Sequence, residues 1–309
     1  MTTTVPALPA GLVERPLTMA DARAVYEVMA ADQLDQIGMI EIEEADIVGD
    51  WGRPSFDVEA QTLGVFDSDR MVGYAEVTYA DRGDAAVHPA YRGRGIGTRL
   101  AHWMQETARA RGARLVGMPV PEGSAGDRLL EALGYHVRHT SWVLKLPAGA
   151  EIVRRDLPEG YAVREARPEE WPAAHDVVED AFLEWSVRER ESYDDFVASI
   201  QGRPGFEPWN LRVVLDPEGV VVGVSYVVIA ETDDGRDAEA YISRLAVRRD
   251  QRNRGLAQAL MVDSFAVARE HGALVSGLST DSRTGALDLY KKVGMEVTSV
   301  WLSRAIDLV

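Results

Sequence analysis

"YRGRGIG", residues 91–97, places three glycines and two arginines between a short segment that ends in valine and a long helical pattern. A strand that runs through such a turn into a helix forms an anion site. The first N–H groups of a helix have no intrahelical acceptor, and the helix dipole favours negative charge there. Glycine lets the backbone approach a phosphate, and arginine adds charge-assisted hydrogen bonds. The stretch therefore predicts a turn that binds a pyrophosphate.

A second version of this turn, "QRNRGLA", occupies residues 251–257. When Val87 is aligned with Val247, at an offset of 160, both arginines and the second glycine coincide, and Gly112 falls on Gly272. The upstream segments that match, at an offset of 150, are 13–21 with 163–170 and 71–77 with 221–227. Anchor points in the same order predict two copies of one domain, which we place at residues 1–147 and 148–309.

Each copy has the same predicted order of elements. A short strand and an amphipathic helix precede a hairpin, and a further strand leads into the arginine turn. The turn opens a long helix, predicted over 96–111 and 256–271, and a buried strand, a second helix and the last strands follow. This order predicts an α/β (α+β) protein of two tandem domains, each with a mixed, mostly antiparallel twisted sheet flanked by helices.

The composition excludes several classes of function. A net charge of −17 over 309 residues argues against nucleic-acid binding, and no apolar run is long enough to span a membrane. With no cysteine, disulfides, thiolate metal sites and cysteine nucleophiles are excluded. No secretory signal pattern is visible at the amino terminus, so we expect a cytoplasmic protein. The acidic balance is compatible with a cationic or amine substrate, although solubility alone is the favoured explanation.

The two turns share a pattern, [RQ]-x-x-G-x-[GA], in a strand–turn–helix context. The matches are Arg92-x-x-Gly95-x-Gly97 in the first copy and Arg252-x-x-Gly255-x-Ala257 in the second. This pattern resembles the signature of the GNAT superfamily of N-acetyltransferases, and with the repeat the resemblance covers nearly the whole chain. It implies acetyl-CoA as the acyl donor, no metal, and a pyrophosphate held on the turn. The pantetheine arm would follow the fourth strand, with the thioester where the fourth and fifth strands splay apart.

The resemblance implies cofactor contacts at the strand end and turn of both copies. The residues are Val87, Arg92, Gly93, Arg94, Gly95, Ile96 and Gly97, and Leu245, Val247, Arg252, Asn253, Arg254, Gly255, Leu256 and Ala257. The second copy departs from the family pattern where proline, an aromatic residue and the first glycine are replaced by Arg249, Gln251 and Asn253. The Gly-Lys-Ser/Thr of a nucleoside triphosphate loop is absent from both turns.

Direct acetyl transfer needs a base for the ammonium and an acid for the departing thiolate. The family acid is often a tyrosine on the last helix, which the resemblance places at Tyr290, whereas the first copy has Leu130. Glu239 is the candidate base on the strand before the second turn, with Glu231 and a water relay as alternatives. Glu76 is the best carboxylate of the first copy.

These features predict that the second domain is the catalyst and that the first, with the better preserved turn, is degenerate and serves for acetyl-CoA binding. The arrangement, though not the substrate, resembles that of two-domain family members such as mycothiol synthase. The predicted activity is acetylation of an amine on a small molecule or peptide, by a monomer or homodimer. The alternatives are a non-catalytic acyl-CoA-binding or regulatory protein and a protein that binds a nucleotide or phosphometabolite.

Overall fold

The computed structural model describes residues 7–79, 81–147, 149–230 and 237–308. The chain forms two compact units: Met1–Ser141 with Val300–Val309, and Trp142–Ser299. Compared with the predicted domains 1–147 and 148–309, residues 142–147 lie in the second unit and the last ten residues of the chain lie in the first. Strands β6 (His136–Lys145) and β12 (Glu296–Asp307) both run across a unit boundary, so each contributes residues to both units.

The first unit is a mixed sheet with helices on both faces. Its elements are β1 (Leu12–Arg15), α1 (Ala22–Ile37), α2 (Glu44–Trp51), α3 (Val58–Gln61), β2 (Thr62–Asp67), β3 (Arg70–Thr78), β4 (Arg82–Val87), α4 (Ile96–Ala110), β5 (Leu115–Pro121) and α5 (Ala125–Ala132). Strands β1 to β4 pair antiparallel in chain order, and β4 pairs with β5 in parallel. The carboxyl-terminal part of β12 pairs antiparallel with β5, from Trp301 beside Pro121 to Asp307 beside Leu115.

Alternation along the strands of the first unit creates two apolar layers, because successive side chains point to opposite faces. One layer packs α4 on the sheet, with Leu100 and Met104 fully buried against Val72. The other layer packs α1 and α2 on the opposite face, where Tyr74 and Trp51 are buried. The strand pair β3–β4 is therefore covered on both sides by helices.

The second unit repeats this plan. Its elements are β7 (Ala162–Glu165), α6 (Trp171–Phe182), α7 (Tyr193–Gln201), β8 (Leu211–Leu215), β9 (Val221–Ala230), β10 (Glu239–Val247), α8 (Leu256–Glu270), β11 (Val275–Asp281) and α9 (Leu287–Lys292). Strands β7 to β10 pair antiparallel, and β10 pairs with β11 in parallel. Strand β6 lies on the other side of β11.

The predicted fold class is confirmed: each unit combines antiparallel strand pairs with a parallel pair, β4 with β5 or β10 with β11, and helices flank the strands. The helices predicted over 96–111 and 256–271 are α4 and α8, and both end one residue before the predicted position. Gly112 and Gly272, the predicted helix ends, have φ of 79° and 100°. Left-handed backbone at this point is the usual termination of a helix by glycine.

Candidate active site

A cleft of about 230 Å³ opens in the first unit where β4 and β5 part. The two strands pair at Arg82 and Gly117. Beyond that pair, Asp84 and Val87 line one wall of the cleft, while Met118 and Val120 line the other. Parallel strands that diverge leave backbone groups free to pair with an extended ligand arm, because neither strand satisfies the other there. This is the splay that the family resemblance implies.

The arginine turn closes one end of this cleft. Gly93 and Gly95 have φ of 73° and 88°, and a Cβ at either would meet no atom within 4 Å. Backbone conformation rather than space therefore requires glycine at these two positions. Gly97 differs, because its Cβ would lie 2.7 Å from Leu129 Cδ2 on the cleft wall. Helix α4 begins at Ile96, so its first N–H groups face the turn.

Arg92 and Arg94 have different surroundings. The Arg92 guanidinium donates to Asp32, with Nη2 2.7 Å from Oδ1, and also pairs with Asp35. Both carboxylates lie on α1, so Arg92 connects α1 to the turn. Arg94 stacks 4.7 Å from the Tyr91 ring centroid and donates to the Ala90 carbonyl at 3.3 Å. Arg94 is an exposed cation of the turn, and among the described residues it has no ion pair that a phosphate would have to break.

Asp84 places a carboxyl group in the wall of the cleft, next to the point where β4 and β5 part. Burial, followed by the negative charge of Glu76, raises the pKa of Asp84 to about 7. Burial also raises the pKa of Glu76, although Tyr74 and Trp51 oppose the shift by hydrogen bonding. Sequence reasoning chose Glu76 and missed Asp84. The signal was present, since an aspartate in the otherwise small and apolar strand "GDAAV" is unusual.

Several other cleft residues come from elements remote in sequence. Helix α1 supplies Met29, Asp32 and Gln33, and strand β12 supplies Trp301. Gln36, at the end of α1, accepts a hydrogen bond from the Ala125 N–H at 2.9 Å and so connects α1 with α5. No sequence pattern marked these residues, because only the packing of α1 and the pairing of β12 with β5 bring them to the cleft.

The second turn has the same backbone with different chemistry. Asn253 and Gly255 have φ of 65° and 80°, so an asparagine adopts the left-handed conformation that a glycine has in the first turn. Arg252 forms a two-pronged ion pair with Glu184, at 2.8 and 2.6 Å, and Arg254 donates to the Tyr161 hydroxyl at 3.0 Å.

The other predicted contacts of the two copies lie in different surroundings. Val87, Ile96 and Gly97 line the cleft of the first unit. The predicted contacts of the second unit pack instead in an apolar cluster around the buried Leu260; they are Leu245, Val247, Leu256 and Ala257.

Tyr290 lies in the apolar core of the second unit. Only 7% of its surface is exposed, and it packs among apolar side chains that include Leu144, Phe265 and Met295. Burial raises its pKa to about 12, so the hydroxyl keeps its proton at neutral pH. A catalytic acid must contact the leaving group, whereas the surroundings of Tyr290 are those of an aromatic residue packed in a core. Its assignment as the acid stays a prediction.

Glu239 lies in the paired part of β10, beside Val275 of β11. Its Oε2 accepts from Lys145 Nζ at 2.6 Å, and a Cβ at Gly277 would lie 2.1 Å from its Oε1. The ion pair with Lys145 stabilises the charged carboxylate in this position. Glu239 as the base also stays a prediction, and the alternative Glu231 lies outside the described residues.

The position of Asp84 is taken by Arg244 in the second unit. The two residues are equivalent by the offset of 160, and each faces its partner across the hairpin: Asp84 opposite Glu76, and Arg244 opposite Tyr226. Arg244 pairs with Glu191 at 3.3 Å and lies 5.1 Å from the Phe196 ring centroid. A carboxyl pair in the first unit is thus replaced by a phenol and a guanidinium in the second.

The repeated fold, with a splayed parallel strand pair above a glycine–arginine turn, defines a two-domain N-acyltransferase. A family model described as the Acetyltransferase (GNAT) family matches residues 25–135 and again residues 162–295. The chain belongs to the GNAT acetyltransferase family, and it is an N-acetyltransferase enzyme.

Known proteins are similar to this chain over most of its length. The mycothiol acetyltransferase of Salinispora arenicola is 28% identical over 290 residues, which cover 88% of this chain and 87% of that protein. A GCN5-related N-acetyltransferase from Sphaerobacter thermophilus superposes with a TM-score of 0.75 at 26% identity, over 98% of this chain and 97% of the other. A tandem GNAT protein from the clavulanic acid biosynthesis pathway has a TM-score of 0.72 at 19% identity, over 96% and 99% of the two chains, and shows the shared fold.

Within residues 7–79, 81–147, 149–230 and 237–308, no group of three or more His, Cys, Asp or Glu side chains is arranged to hold a metal ion. Over the same residues, none of the helices combines the length and the apolar character needed to cross a membrane.

Proposed function

We propose that the protein transfers an acetyl group from acetyl-CoA directly to the amine of a small molecule or peptide, in the cleft of the first unit. The observation that carries this proposal is the cleft itself, in which the parted strands β4 and β5 meet the glycine–arginine turn. The turn would hold the pyrophosphate, and the pantetheine arm would run between the strands to Asp84. The residues present fit such a donor.

The choice of the first unit differs from the sequence prediction, which favours the second. Asp84 lies in an open cleft in the first unit, whereas Arg244 occupies its position in the second and Tyr290 is buried in the core there. The absence of a tyrosine at Leu130 does not prevent catalysis. A thiol of ordinary pKa, about 8.5, leaves as a thiolate and takes a proton from the medium.

Binding of acetyl-CoA does not by itself demonstrate transfer of the acetyl group. Release of CoA would therefore be followed with a thiol reagent, to which the protein adds no signal because it has no cysteine, and by chromatography for acceptors that carry a thiol of their own. The acceptor panel would contain primary amines, aminosugars and peptides with free amino termini. The mycothiol-type amine is the first acceptor to test, since curated relatives such as the one from Salinispora arenicola carry the name mycothiol acetyltransferase.

The expected result is acetyl-CoA-dependent release of CoA that requires an amine. Acetyl-CoA binding by calorimetry without turnover on any amine would favour the non-catalytic acyl-CoA-binding alternative. Binding of ATP but not of acetyl-CoA would contradict the proposal and support a nucleotide-binding protein.

A further inference from the structure

Two carboxyl side chains are neighbours on the β3–β4 hairpin, whose second strand, β4, lines one wall of the first unit's cleft. Glu76 on β3 is directly opposite Asp84 on β4 in the antiparallel register. Residues opposite each other in such a pair have Cβ atoms about 4.5–5.5 Å apart on the same face of the sheet. The same face carries Tyr74 and Ala86, which are buried under α1 and α2. The two carboxyl groups are therefore neighbours in a largely dehydrated layer.

The two carboxyl groups have different access to the cleft. Asp84 lines the cleft, whereas Glu76 lies behind it and accepts a hydrogen bond from Trp51 Nε1 at 2.9 Å. Trp51 is 3% exposed, so the indole fixes Glu76 from the buried side. Only Asp84 can contact a ligand, and Glu76 acts on a ligand through Asp84.

When one of two neighbouring buried carboxyl groups is ionised, its negative charge raises the pKa of the other, because the two charges repel each other. The pair therefore retains one proton over a pH range in which separate surface carboxyl groups have lost theirs. A cation that enters the cleft beside Asp84 removes this repulsion. The carboxyl pair thus favours a positively charged acceptor, and it can then take a proton from that acceptor.

We propose that Glu76 and Asp84 form a carboxyl pair that shares one proton, in which Asp84 is the catalytic base for an ammonium acceptor and Glu76 tunes its basicity. This inference rests on the proposed function. Beyond that function, it specifies that the acceptor is positively charged, that Asp84 deprotonates it, and that Glu76 is a positioning residue that touches neither substrate.

The proton balance of the step is complete without another reactant. The ammonium group gives one proton to the Asp84 carboxylate and becomes a neutral amine. Its nitrogen attacks the thioester carbonyl carbon, the C–N bond forms, and the C–S bond breaks as the thiolate leaves. The nitrogen then loses its second proton, the thiolate takes up one, and Asp84 returns its proton to the medium.

The second unit offers an internal comparison. Tyr226 and Arg244 take the places of Glu76 and Asp84, in the same register. Arg244 is positively charged and paired with Glu191, so an ammonium group would meet repulsion there instead of a base. The amine acetylation proposed above therefore belongs to the first unit, and the second unit supplies matched control positions.

The charged and titratable groups around Asp84 come from four elements. They are Tyr74 and Glu76 on β3, Arg82 on its own strand, Asp32 on α1, and Asp50 on α2, with Arg53 following α2. Arg82 favours the charged form of Asp84, and Glu76 and Asp32 oppose it. Since Arg92 neutralises Asp32 at 2.7 Å, Glu76 is the main electrostatic opponent, and its removal is the informative change.

The test is the pH dependence of kcat/KM for the wild type and for Glu76→Gln, Asp84→Asn and Tyr226→Phe. We expect the acidic limb of the wild-type profile near the pKa of Asp84, about 7. Glu76→Gln should move this limb to lower pH by about one unit, because the repelling charge is gone. Asp84→Asn should lower kcat/KM by ~10²-fold or more and remove the limb. Tyr226→Phe should leave the profile unchanged.

Two results would overturn the proposal: a limb that stays in place in Glu76→Gln, or a limb that survives in Asp84→Asn. The affinity for acetyl-CoA, measured by calorimetry, should be unchanged in Glu76→Gln and Tyr226→Phe. Failure of the wild type to bind acetyl-CoA would instead contradict the proposed function.

Infrared difference spectra of the wild type give a second measurement that does not need the variants to fold or the enzyme to turn over. A protonated carboxyl band should persist to near neutral pH in the wild-type protein. Its loss between pH 4 and pH 5 would show two ordinary carboxylates and contradict the shared proton.

Discussion

Asp84→Asn should make the protein more stable at alkaline pH while it impairs catalysis. The pKa of Asp84 is raised from 3.8 to about 7 in the folded protein. The folded state therefore binds more protons than the unfolded state between these two values. Under linkage, the wild type loses stability as pH rises through this window and bears the full cost above it. Asparagine carries no charge and escapes this cost.

The size of the effect follows from the shift of about three units. Each unit corresponds to about 1.4 kcal/mol, which sets a ceiling of about 4 kcal/mol for the difference between acidic and alkaline pH. Asp84 lines an open cleft, and water there lowers the cost of the charge. We therefore expect the stability of Asp84→Asn, relative to the wild type, to rise by about 2 kcal/mol between pH 4.5 and pH 8.

Urea unfolding at both pH values measures this change as a shift of the midpoint at constant slope. Asp69→Asn removes a carboxylate from an exposed hairpin turn and is the matched control, with no comparable pH dependence expected. An equal difference between Asp84→Asn and the wild type at pH 4.5 and pH 8 would refute the reasoning, because it would show that Asp84 titrates alike in the folded and unfolded states.

Three further changes test other parts of the description. Gly97→Val should weaken acetyl-CoA binding ~10-fold or more, because even a Cβ would lie 2.7 Å from Leu129 Cδ2, whereas Ala257→Val should have little effect in calorimetry. Arg304→Ala should lower the free energy of unfolding by about 3 kcal/mol, because the buried Asp127 carboxylate, 2.7 Å from the guanidinium in the wild type, loses its charged partner. A loss below 1 kcal/mol in urea unfolding would contradict a buried ion pair. Tyr290→Phe should keep turnover and stability close to the wild type, because the hydroxyl lies in an apolar cluster; a large loss of kcat would instead support the predicted acid in the second unit.

The sequence predicted the repeated fold and the turns well, because both depend on local rules. Helix periodicity and the glycines at helix ends placed α4 and α8 to within one residue at their ends. Gly93 and Gly95 of the first turn are required by positive φ, which only a few residues adopt without strain. A local rule of this kind leaves its mark in consecutive residues and is readable without the tertiary structure.

The catalytic candidates depend on non-local contacts, and their roles stay predictions. Tyr290 matches a family pattern in sequence, yet its side chain packs in the core of the second unit. Glu239 lies on the strand where the sequence places it, β10, yet its side chain contacts Lys145 in the paired part of that strand. A motif specifies the residue type and the element, but only packing decides whether the side chain reaches a cleft.

The sequence by itself determined that this chain contains two α/β domains of one family, each with a glycine–arginine turn between a strand and a helix, because strand, turn and helix patterns are local. Only the tertiary structure decided where a cleft is open and which carboxyl groups share it. Glu76 and Asp84 become neighbours through the register of β3 and β4, and Trp301 reaches the same cleft through the pairing of β12 with β5. Register and long-range pairing are set by the packing of the whole unit, so neither is visible in any single stretch of sequence.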